Sequence, residues 1–148
     1  MTEDIIVSVK GLHTMENVDE EEIEVISAGK YYFKNGKHYI LYEEMAEGSN
    51  EAIQNRITLR DGILEVRKKG PVSANMVFER GRKNMSWYNT PFGNLLAGVD
   101  VVSMEVTEEE NLLEAVVQYE LEVNYERVAD CRIQIRVMAK DSGLFHLQ

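Results

Sequence analysis

The strongest local indication of the fold of this chain is the stretch Tyr31-Tyr32-Phe33-Lys34-Asn35-Gly36-Lys37-His38-Tyr39-Ile40-Leu41. Its centre, Asn35-Gly36, lies between two runs rich in aromatic and aliphatic residues. A two-residue type I′ turn needs a positive φ at both central positions, which Asn and Gly tolerate. Asp61-Gly62 lies in the same way between residues 57–59 and 63–66. Both dipeptides therefore predict β-hairpins, and a hairpin turn fixes which side chains share a face of the sheet.

The two turns also predict the register of the strands. In the first hairpin, the pairs on one face are Phe33 with His38, Tyr31 with Ile40 and Gly29 with Tyr42, and this face continues back through Val25 and Ile23. In the second hairpin, the pairs on one face are Leu59 with Leu64, Ile57 with Val66 and Asn55 with Lys68. We expect both faces to be buried, because their reverse sides carry more charged residues.

The rest of the chain continues the same strand pattern. The predicted strands are residues 4–13, 22–34, 37–46, 53–60, 63–70, 73–80, 84–90, 95–107, 112–126 and 129–139. Each strand with a clear period has a single apolar side; Tyr119, Leu121, Val123 and Tyr125, for example, alternate with polar residues. A long sheet with one apolar face closes most simply around that face. Of the two architectures open to such strands, a barrel or a sandwich, we therefore predict an all-β, antiparallel barrel of about eight to ten strands, in one domain over residues 1–148.

Three glycines are predicted to shape the sheet. Gly11 is expected to mark a β-bulge and Gly29 a bend opposite Tyr42. Gly98 is expected to mark a change of parity in the eighth strand, from Val99 and Val101 to Val102, Met104 and Val106. Bulges and glycine kinks are the usual means by which a sheet turns the corners of a barrel.

Composition limits the classes of function. The formal net charge is −10, which disfavours binding to the phosphates of nucleic acids. Cys131 is the single cysteine, so no intrachain disulfide can form. The first residues have neither the basic nor the apolar region of a secretory signal, and no apolar run approaches the ~18 residues of a membrane helix. We expect a cytoplasmic protein that binds neither nucleic acid nor membrane.

Several segments together resemble a known family. They are Gly29-Lys30-Tyr31-Tyr32, Tyr39-Ile40-Leu41-Tyr42-Glu43-Glu44, Arg67-Lys68-Lys69-Gly70, Met76-Val77-Phe78-Glu79-Arg80-Gly81, Thr90-Pro91-Phe92-Gly93 and Leu121-Glu122-Val123-Asn124-Tyr125. From about residue 3 to residue 139, the chain resembles the YwiB-like family of bacterial β-barrel proteins. The resemblance implies a calycin-like (lipocalin-like) barrel from the bacterial cytoplasm. It implies no activity and no catalytic residue, because the family is itself a domain of unknown function.

Lys68 is an unusual residue for its position, since the register puts a cation on the apolar side of its hairpin. An inward ammonium could bind the carboxylate or phosphate head of a ligand. Alternatively, Lys68 lies at the rim, where its stem packs and its ammonium reaches water. The inward aromatic residues Tyr31 and Tyr42 could line the same pocket, although aromatic residues at strand parity also serve as ordinary core.

The segment Thr90-Pro91-Phe92-Gly93-Asn94 is the least strand-like part of the middle of the chain. It could form a loop at the mouth of the barrel in which Tyr88, Thr90 and Asn94 offer hydrogen bonds to a ligand. Alternatively, it is an ordinary turn that contains a proline.

Arg56 and Arg67 are predicted to face each other on the outer side, near Arg60 and Lys69. Because like charges opposite each other are destabilising, we expect either a neighbouring glutamate or a bound anion there. Such a basic patch on an acidic protein could dock a partner, or it could be an ordinary set of surface ion pairs.

The sequence predicts neither a metal site nor a catalytic centre, and it indicates no cofactor. His13, His38 and His146 are isolated, and His38 is expected on the buried face as a satisfied side chain. Cys131 shares the parity of Ile133 and is expected to be buried and unreactive. The acidic runs at residues 19–22 and 108–110 lack the spacing of a calcium loop and are expected to be solvated loops.

Two functions remain open after these exclusions. The first is a non-enzymatic binding module that holds a small apolar or amphipathic ligand inside the barrel, with Lys68, Tyr88, Thr90, Asn94, Tyr31 and Tyr42 as candidate contacts. The second is a protein–protein interaction module with a filled barrel, which uses an outer face or the loop at residues 90–94. An enzyme is less well supported, because no two titratable groups must meet in a cleft.

Overall fold

A computed structural model describes residues 1–14, 21–45, 48 and 50–140, with the backbone alone at residues 12–14 and 21. It contains ten strands: β1 (Asp4–Thr14), β2 (Glu21–Lys34), β3 (Lys37–Met45), β4 (Ala52–Arg60), β5 (Ile63–Lys69), β6 (Ser73–Glu79), β7 (Lys83–Thr90), β8 (Gly93–Glu109), β9 (Leu112–Val123) and β10 (Glu126–Ala139). Within the described ranges, no helix has the length and apolar character needed to cross a membrane.

The ten strands form one closed antiparallel barrel. Each strand pairs with its neighbours in the chain, and β1 closes the ring by pairing with β10. This arrangement confirms the predicted all-β barrel. Along each strand the side chains point alternately into the barrel and out to solvent.

The hairpin turns confirm the predicted registers. Asn35 and Gly36 have φ values of 52° and 74°, and Asp61 and Gly62 have φ values of 46° and 77°. The observed pairs include Phe33 with His38, Tyr31 with Ile40, Gly29 with Tyr42, Leu59 with Leu64, and Asn55 with Lys68. The turn residues therefore determine which side of each strand faces inward.

The interior is densely filled at the end of the barrel that carries these two turns, here called the closed end. Its fully buried side chains include Ile5, Val7, Ile40, Ile57, Leu64, Phe78, Met104 and Val137. Phe78 packs edge-on against Tyr119, with ring centroids 5.0 Å apart. The opposite end, here called the open end, carries the connections that follow β1, β3, β5, β7 and β9.

Among the residues predicted on the apolar side, Ile23, Phe33 and Tyr125 are exposed, and so is Val106. Ile23 is 55% exposed, because β2 pairs with β3 only from Gly29 onwards and the start of β2 has no neighbour on that side among the described residues. Phe33 is 57% exposed, because it lies at the rim of the closed end beside His38. Tyr125 is 76% exposed, because it lies in a turn and not in a strand.

The turn at Asn124-Tyr125 was not predicted, and it shortens the ninth strand. Both residues have positive φ, 51° and 70°. The turn is tied to β8 by two hydrogen bonds, because the backbone N–H of Asn124 donates to Leu96 O at 2.8 Å and the N–H of Leu96 donates to Asn124 Oδ1 at 3.1 Å. On the outer face, glutamates of β9 pair with arginines of β10, for example Arg136 Nε with Glu114 Oε2 at 2.9 Å.

Two predictions about bulges were wrong in position. The register of β1 passes through Gly11 without a shift on either side, so no bulge forms there. The parity of β8 does change, but the extra residue is Val102, between Val101 and Ser103, and not Gly98. Val102 is 65% exposed, whereas Met104 is 1% exposed. The predicted change of parity is therefore real, but Val102 is not part of the inward set.

The ladder between β6 and β7 is much shorter than the others. Along these two fully described strands, the pairs are Ser73 with Asn89 and Ala74 with Tyr88. By comparison, β8 and β9 pair along most of their length. This short seam adjoins the open end of the barrel, where the candidate site lies.

Candidate functional site

One row of side chains crosses the inner wall near the open end, because the registers of six consecutive strand pairs align. The row is Gly29, Tyr42, Asn55, Lys68, Ala74, Tyr88 and Leu95. Three candidate ligand residues, Tyr42, Lys68 and Tyr88, are therefore brought together by three different strands. We call this set of side chains the inner row.

Lys68 is held inside the barrel by a carboxylate that the sequence analysis did not identify. Its Nζ lies 2.5 Å from Glu44 Oε1 and 3.0 Å from Asn55 Oδ1. Asn55 Nδ2 donates to the same Glu44 oxygen at 3.0 Å. About one-fifth of each charged side chain is exposed, 21% for Lys68 and 22% for Glu44. The ammonium therefore neither extends into solvent nor lies unpaired, and the pair presents both charges at one place on the inner wall.

An apolar cavity opens further along the inner wall, and Tyr88 of the inner row is part of its lining. Its volume is about 300 Å³, and its lining is Met76, Tyr88, Leu95, Ala97, Tyr119, Leu121 and Val123. All of these residues have inward parity in β6 to β9. The volume is at the lower limit of the ~300–1,000 Å³ in which small-molecule sites fall. The barrel is thus filled at the closed end and hollow at the open end.

Two tyrosines lie near the charge of Glu44, and one of them, Tyr88, also lines the cavity. Burial, and then the negative charge of Glu44, raise the pKa of both Tyr88 and Tyr42. Burial, and then contact with Cys131, raise the pKa of Tyr119, whose side chain is hydrogen-bonded to that of Cys131. These phenols stay protonated at neutral pH and can donate hydrogen bonds.

The other three candidate residues lie elsewhere. Thr90 Oγ1 accepts a hydrogen bond from the N–H of Phe92 at 3.2 Å and donates to Gly93 O at 2.8 Å, so it stabilises its own turn. Asn94 is exposed and pairs with Asn89 on the outer face. Tyr31 lies at the closed end. None of the three lines the cavity.

Tyr31 belongs to a separate polar cluster that spans the interior at the closed end. Its hydroxyl lies 2.7 Å from Nδ1 of His38, and Nε2 of His38 lies 3.4 Å from Glu108 Oε1. His38 is buried, as predicted. Glu108 was expected in a solvated loop, but it lies in β8 and reaches His38 on β3, a strand that does not adjoin β8. The contact links opposite walls and helps to close this end.

The remaining candidate residues are Cys131, the other histidines and the acidic runs. Cys131 is buried, and burial raises the pKa of its thiol, in agreement with the prediction of an unreactive cysteine. Within the part of the chain that the structure describes, no group of three His, Cys, Asp or Glu side chains could hold a metal ion. The side chains of His13 and Glu21, all of His146 and residues 19–20 of the first acidic run lie outside the described residues.

Glu44 and the cavity walls could have been found by extending the alternation. Glu44 follows Tyr42 by two residues on β3, so its side chain has the same inward parity. The sequence predicted the inward parity of Leu121 and Val123. It did not reveal that they share the inner wall with Lys68, because they are far from Lys68 along the chain. Their approach depends on the closure of the ring, which no local pattern specifies.

Comparisons with known proteins agree with this architecture. A family model described as "Domain of unknown function (DUF1934)" matches residues 7–135. The crystal structure of the ywiB protein from Bacillus subtilis is similar to the chain, with a TM-score of 0.80 and 22% sequence identity, over 92% of this chain and 91% of that chain. At that identity the likeness concerns the fold. Comparison with curated proteins gave no match.

Proposed function

We propose that this chain, which belongs to the family described as a domain of unknown function (DUF1934), binds a small amphipathic ligand in the open end of the barrel. The observation that carries this proposal is the apolar cavity of about 300 Å³, whose lining residue Tyr88 shares the inner row with the ion-paired Lys68. The role is that of a calycin-like binding protein, not of an enzyme.

The lining supports a ligand with two chemically different parts. Met76, Leu95 and Leu121 offer an apolar surface to a hydrocarbon or aromatic body. The hydroxyl of Tyr88 and the inner row offer hydrogen bonds and charge to a polar head. A head that carries negative charge fits best, because it can accept the third donor of Lys68 while Glu44 and Asn55 hold the other two.

The alternative, an interaction module with a filled barrel, has less support at this end, because the cavity leaves the interior partly empty. We further propose that the protein works in the bacterial cytoplasm. The ywiB relative comes from Bacillus subtilis, and a chain with one cysteine can form no internal disulfide.

Native mass spectrometry of freshly purified protein tests for a retained ligand, which would appear as added mass that denaturation removes. Titration with two dyes tests the site directly: anilinonaphthalene sulfonate carries an anionic head, and N-phenyl-1-naphthylamine is its neutral relative. We expect both dyes to bind with increased fluorescence, and the anionic dye to bind more tightly.

Two sets of variants locate the binding. Leu121→Trp fills the cavity and should abolish the fluorescence of both dyes, whereas Val102→Trp adds the same side chain on the outer face and should have no effect. The double variant Lys68→Met, Glu44→Gln removes both charges together and should weaken only the anionic dye, by about tenfold. The proposal fails if neither dye binds and no added mass is found, or if Leu121→Trp binds both dyes as the unmodified protein does.

A further inference from the structure

The outer wall of the barrel carries a second feature, separate from the cavity. Three adjoining grooves cross β2 to β7, with volumes of about 430, 300 and 380 Å³. The first two share Leu41 and Arg56, and the last two share Arg67 and Lys69, so they form one continuous path. The path crosses the strands and does not run along them.

Basic and aromatic side chains line this path. Its outward-facing cations are Lys34, Arg56, Arg67 and Lys69, and its outward-facing aromatic side chains are Tyr32, Tyr39 and Trp87. Among the described residues that line the three grooves, none is Asp or Glu. We call these seven side chains the basic face. It is a local reversal of sign on a chain with a net charge of −10.

The cations of the basic face are poorly neutralised by the protein itself. Arg56 and Arg67 are directly opposite each other on β4 and β5, as the sequence predicted. The nearest acidic contact of Arg56 is Glu65 Oε1, at 3.8 Å from its NH2 group, and its Nε is buried without a hydrogen-bond partner among the described residues. Within those residues, Arg67 and Lys69 make no ion pair with an acidic side chain. Two opposed guanidinium groups with this little compensation leave N–H donors open to an external acceptor.

We propose that the basic face binds a short, extended, acidic segment of a partner protein. Five strand spacings separate β2 from β7, which is about 24 Å and corresponds to roughly seven residues of extended chain. Carboxylates of the segment would pair with Arg56, Arg67 and Lys69. An apolar or aromatic residue of the segment would pack on Trp87, which is 59% exposed.

Charge complementarity and the polar lining favour a peptide over a nucleic acid. Gln54, Asn75 and Asn89 line the grooves, and their amide groups can pair with peptide N–H and C=O groups. A nucleic-acid strand continues beyond the basic face onto an acidic surface, where repulsion opposes it. A short acidic segment ends within the patch. The basic face consists of outward side chains, but its grooves also reach Asn55, Lys68 and Ala74 of the inner row, so the variants below change only outward residues.

Trp87 provides a direct readout, because it is the single tryptophan of the chain and lies on the basic face. Its fluorescence is followed during titration with three probes. These are a short peptide of alternating glutamate and leucine, the same peptide with glutamine in place of glutamate, and an oligouridylate of matched charge. We expect a saturable change in Trp87 emission with the glutamate peptide, weakened by added salt, and little response to the other two probes.

Charge reversal tests the location of the binding. The double variant Arg67→Glu, Lys69→Glu should weaken the glutamate peptide by at least about tenfold, and the milder Arg67→Gln, Lys69→Gln variant by less. Arg132→Glu reverses a single charge on β10, on the opposite side of the ring, and should leave the affinity unchanged, whereas Arg67→Glu alone should weaken it. Circular dichroism confirms that each variant is folded.

Three results would overturn the proposal. They are equal affinity for the glutamate and glutamine peptides, tighter binding of the oligouridylate, and an unchanged affinity in both double variants. The second result would instead identify the basic face as a nucleic-acid surface.

Discussion

At the level of single residues, Gly29 illustrates how a missing side chain shapes the barrel. It faces Tyr42 at the point where β2 and β3 begin to pair. A Cβ placed on Gly29 would lie 2.6 Å from the backbone oxygen of Leu41 and 3.3 Å from Cβ of Tyr42. The sequence predicted the pairing of Gly29 with Tyr42, and the structure supplies the reason for glycine there: a close approach of two backbones.

We therefore expect Gly29→Ala to destabilise the protein by about 1–3 kcal/mol, because a carbonyl oxygen of the backbone cannot move aside as a flexible side chain can. Gly11→Ala is the matched control, since nothing lies within 4 Å of a Cβ at that position. It should be neutral or stabilising by up to about 1 kcal/mol, because glycine inside a strand is itself unfavourable. Urea denaturation of both variants measures the difference. Similar midpoints for the two would mean that the contact with Leu41 is relieved at no cost.

The inner row marks the limit of what single residues reveal. The register of one hairpin places Lys68 opposite Asn55, and the sequence predicted this pair correctly. The partner that neutralises Lys68 lies on β3, beyond β4, so it becomes visible only when two hairpins are joined in one sheet. Glu44 supplies that charge, and with it the half-buried pair that distinguishes this wall of the barrel.

At the level of the strands, β8 combines a regular alternation with one extra residue. Val102 interrupts the ladder between Val101 and Ser103, and the inward set therefore passes from Val101 to Met104. The sequence pattern revealed a change of parity but not which residue was extra. Val102 and Met104 are both apolar and two positions apart, so the pattern alone assigns them to the same face.

Substitution distinguishes these two residues. Val102→Ser should change the free energy of unfolding by no more than about 0.5 kcal/mol, because the side chain already faces water. Met104→Ala should cost about 2–5 kcal/mol, because it leaves a cavity in the filled half of the barrel. Both values come from chemical denaturation. If Val102→Ser were the costlier change, the extra residue of β8 would have to lie elsewhere.

At the level of the whole molecule, the buried tyrosines predict sensitivity to alkali. Burial raises the pKa of Tyr42 and Tyr119 above the ordinary value of about 10. The folded state therefore holds these protons more tightly than the unfolded state does. The resulting stabilisation is complete below about pH 10 and is lost as the pH rises further.

We expect the free energy of unfolding to fall above about pH 10, by up to ~1.4 kcal/mol per pH unit for each tyrosine that stays protonated. Urea denaturation at a series of alkaline pH values measures this slope. Tyr119→Phe should make the slope shallower, although it also lowers stability at every pH through the lost hydrogen bond to Cys131. An unchanged slope in that variant would show that Tyr119 ionises in the folded protein as freely as in the unfolded chain.

The sequence was most informative about pairs of neighbouring strands and least informative about the ring as a whole. Turn chemistry and alternation are local, so they predicted the hairpins at residues 35–36 and 61–62 and nearly all strand bounds. The cavity is bounded by β6 to β9, and the cluster of Tyr31, His38 and Glu108 connects strands that do not adjoin. Such contacts depend on the closure of the sheet into a barrel. They also depend on how much of the interior the core side chains fill, which is set by their combined volume.

The short ladder between β6 and β7, with its two residue pairs, affects how a ligand can enter the barrel. The wall of the barrel is least stable where the fewest backbone hydrogen bonds join neighbouring strands, so β6 and β7 separate most easily by thermal motion. Met76 and Tyr88 stand on either side of this seam and also border the hollow half of the interior. A ligand too large for the open end could therefore enter between β6 and β7 when these two strands separate. The remaining strands, which pair over longer ladders, would keep the rest of the barrel in shape.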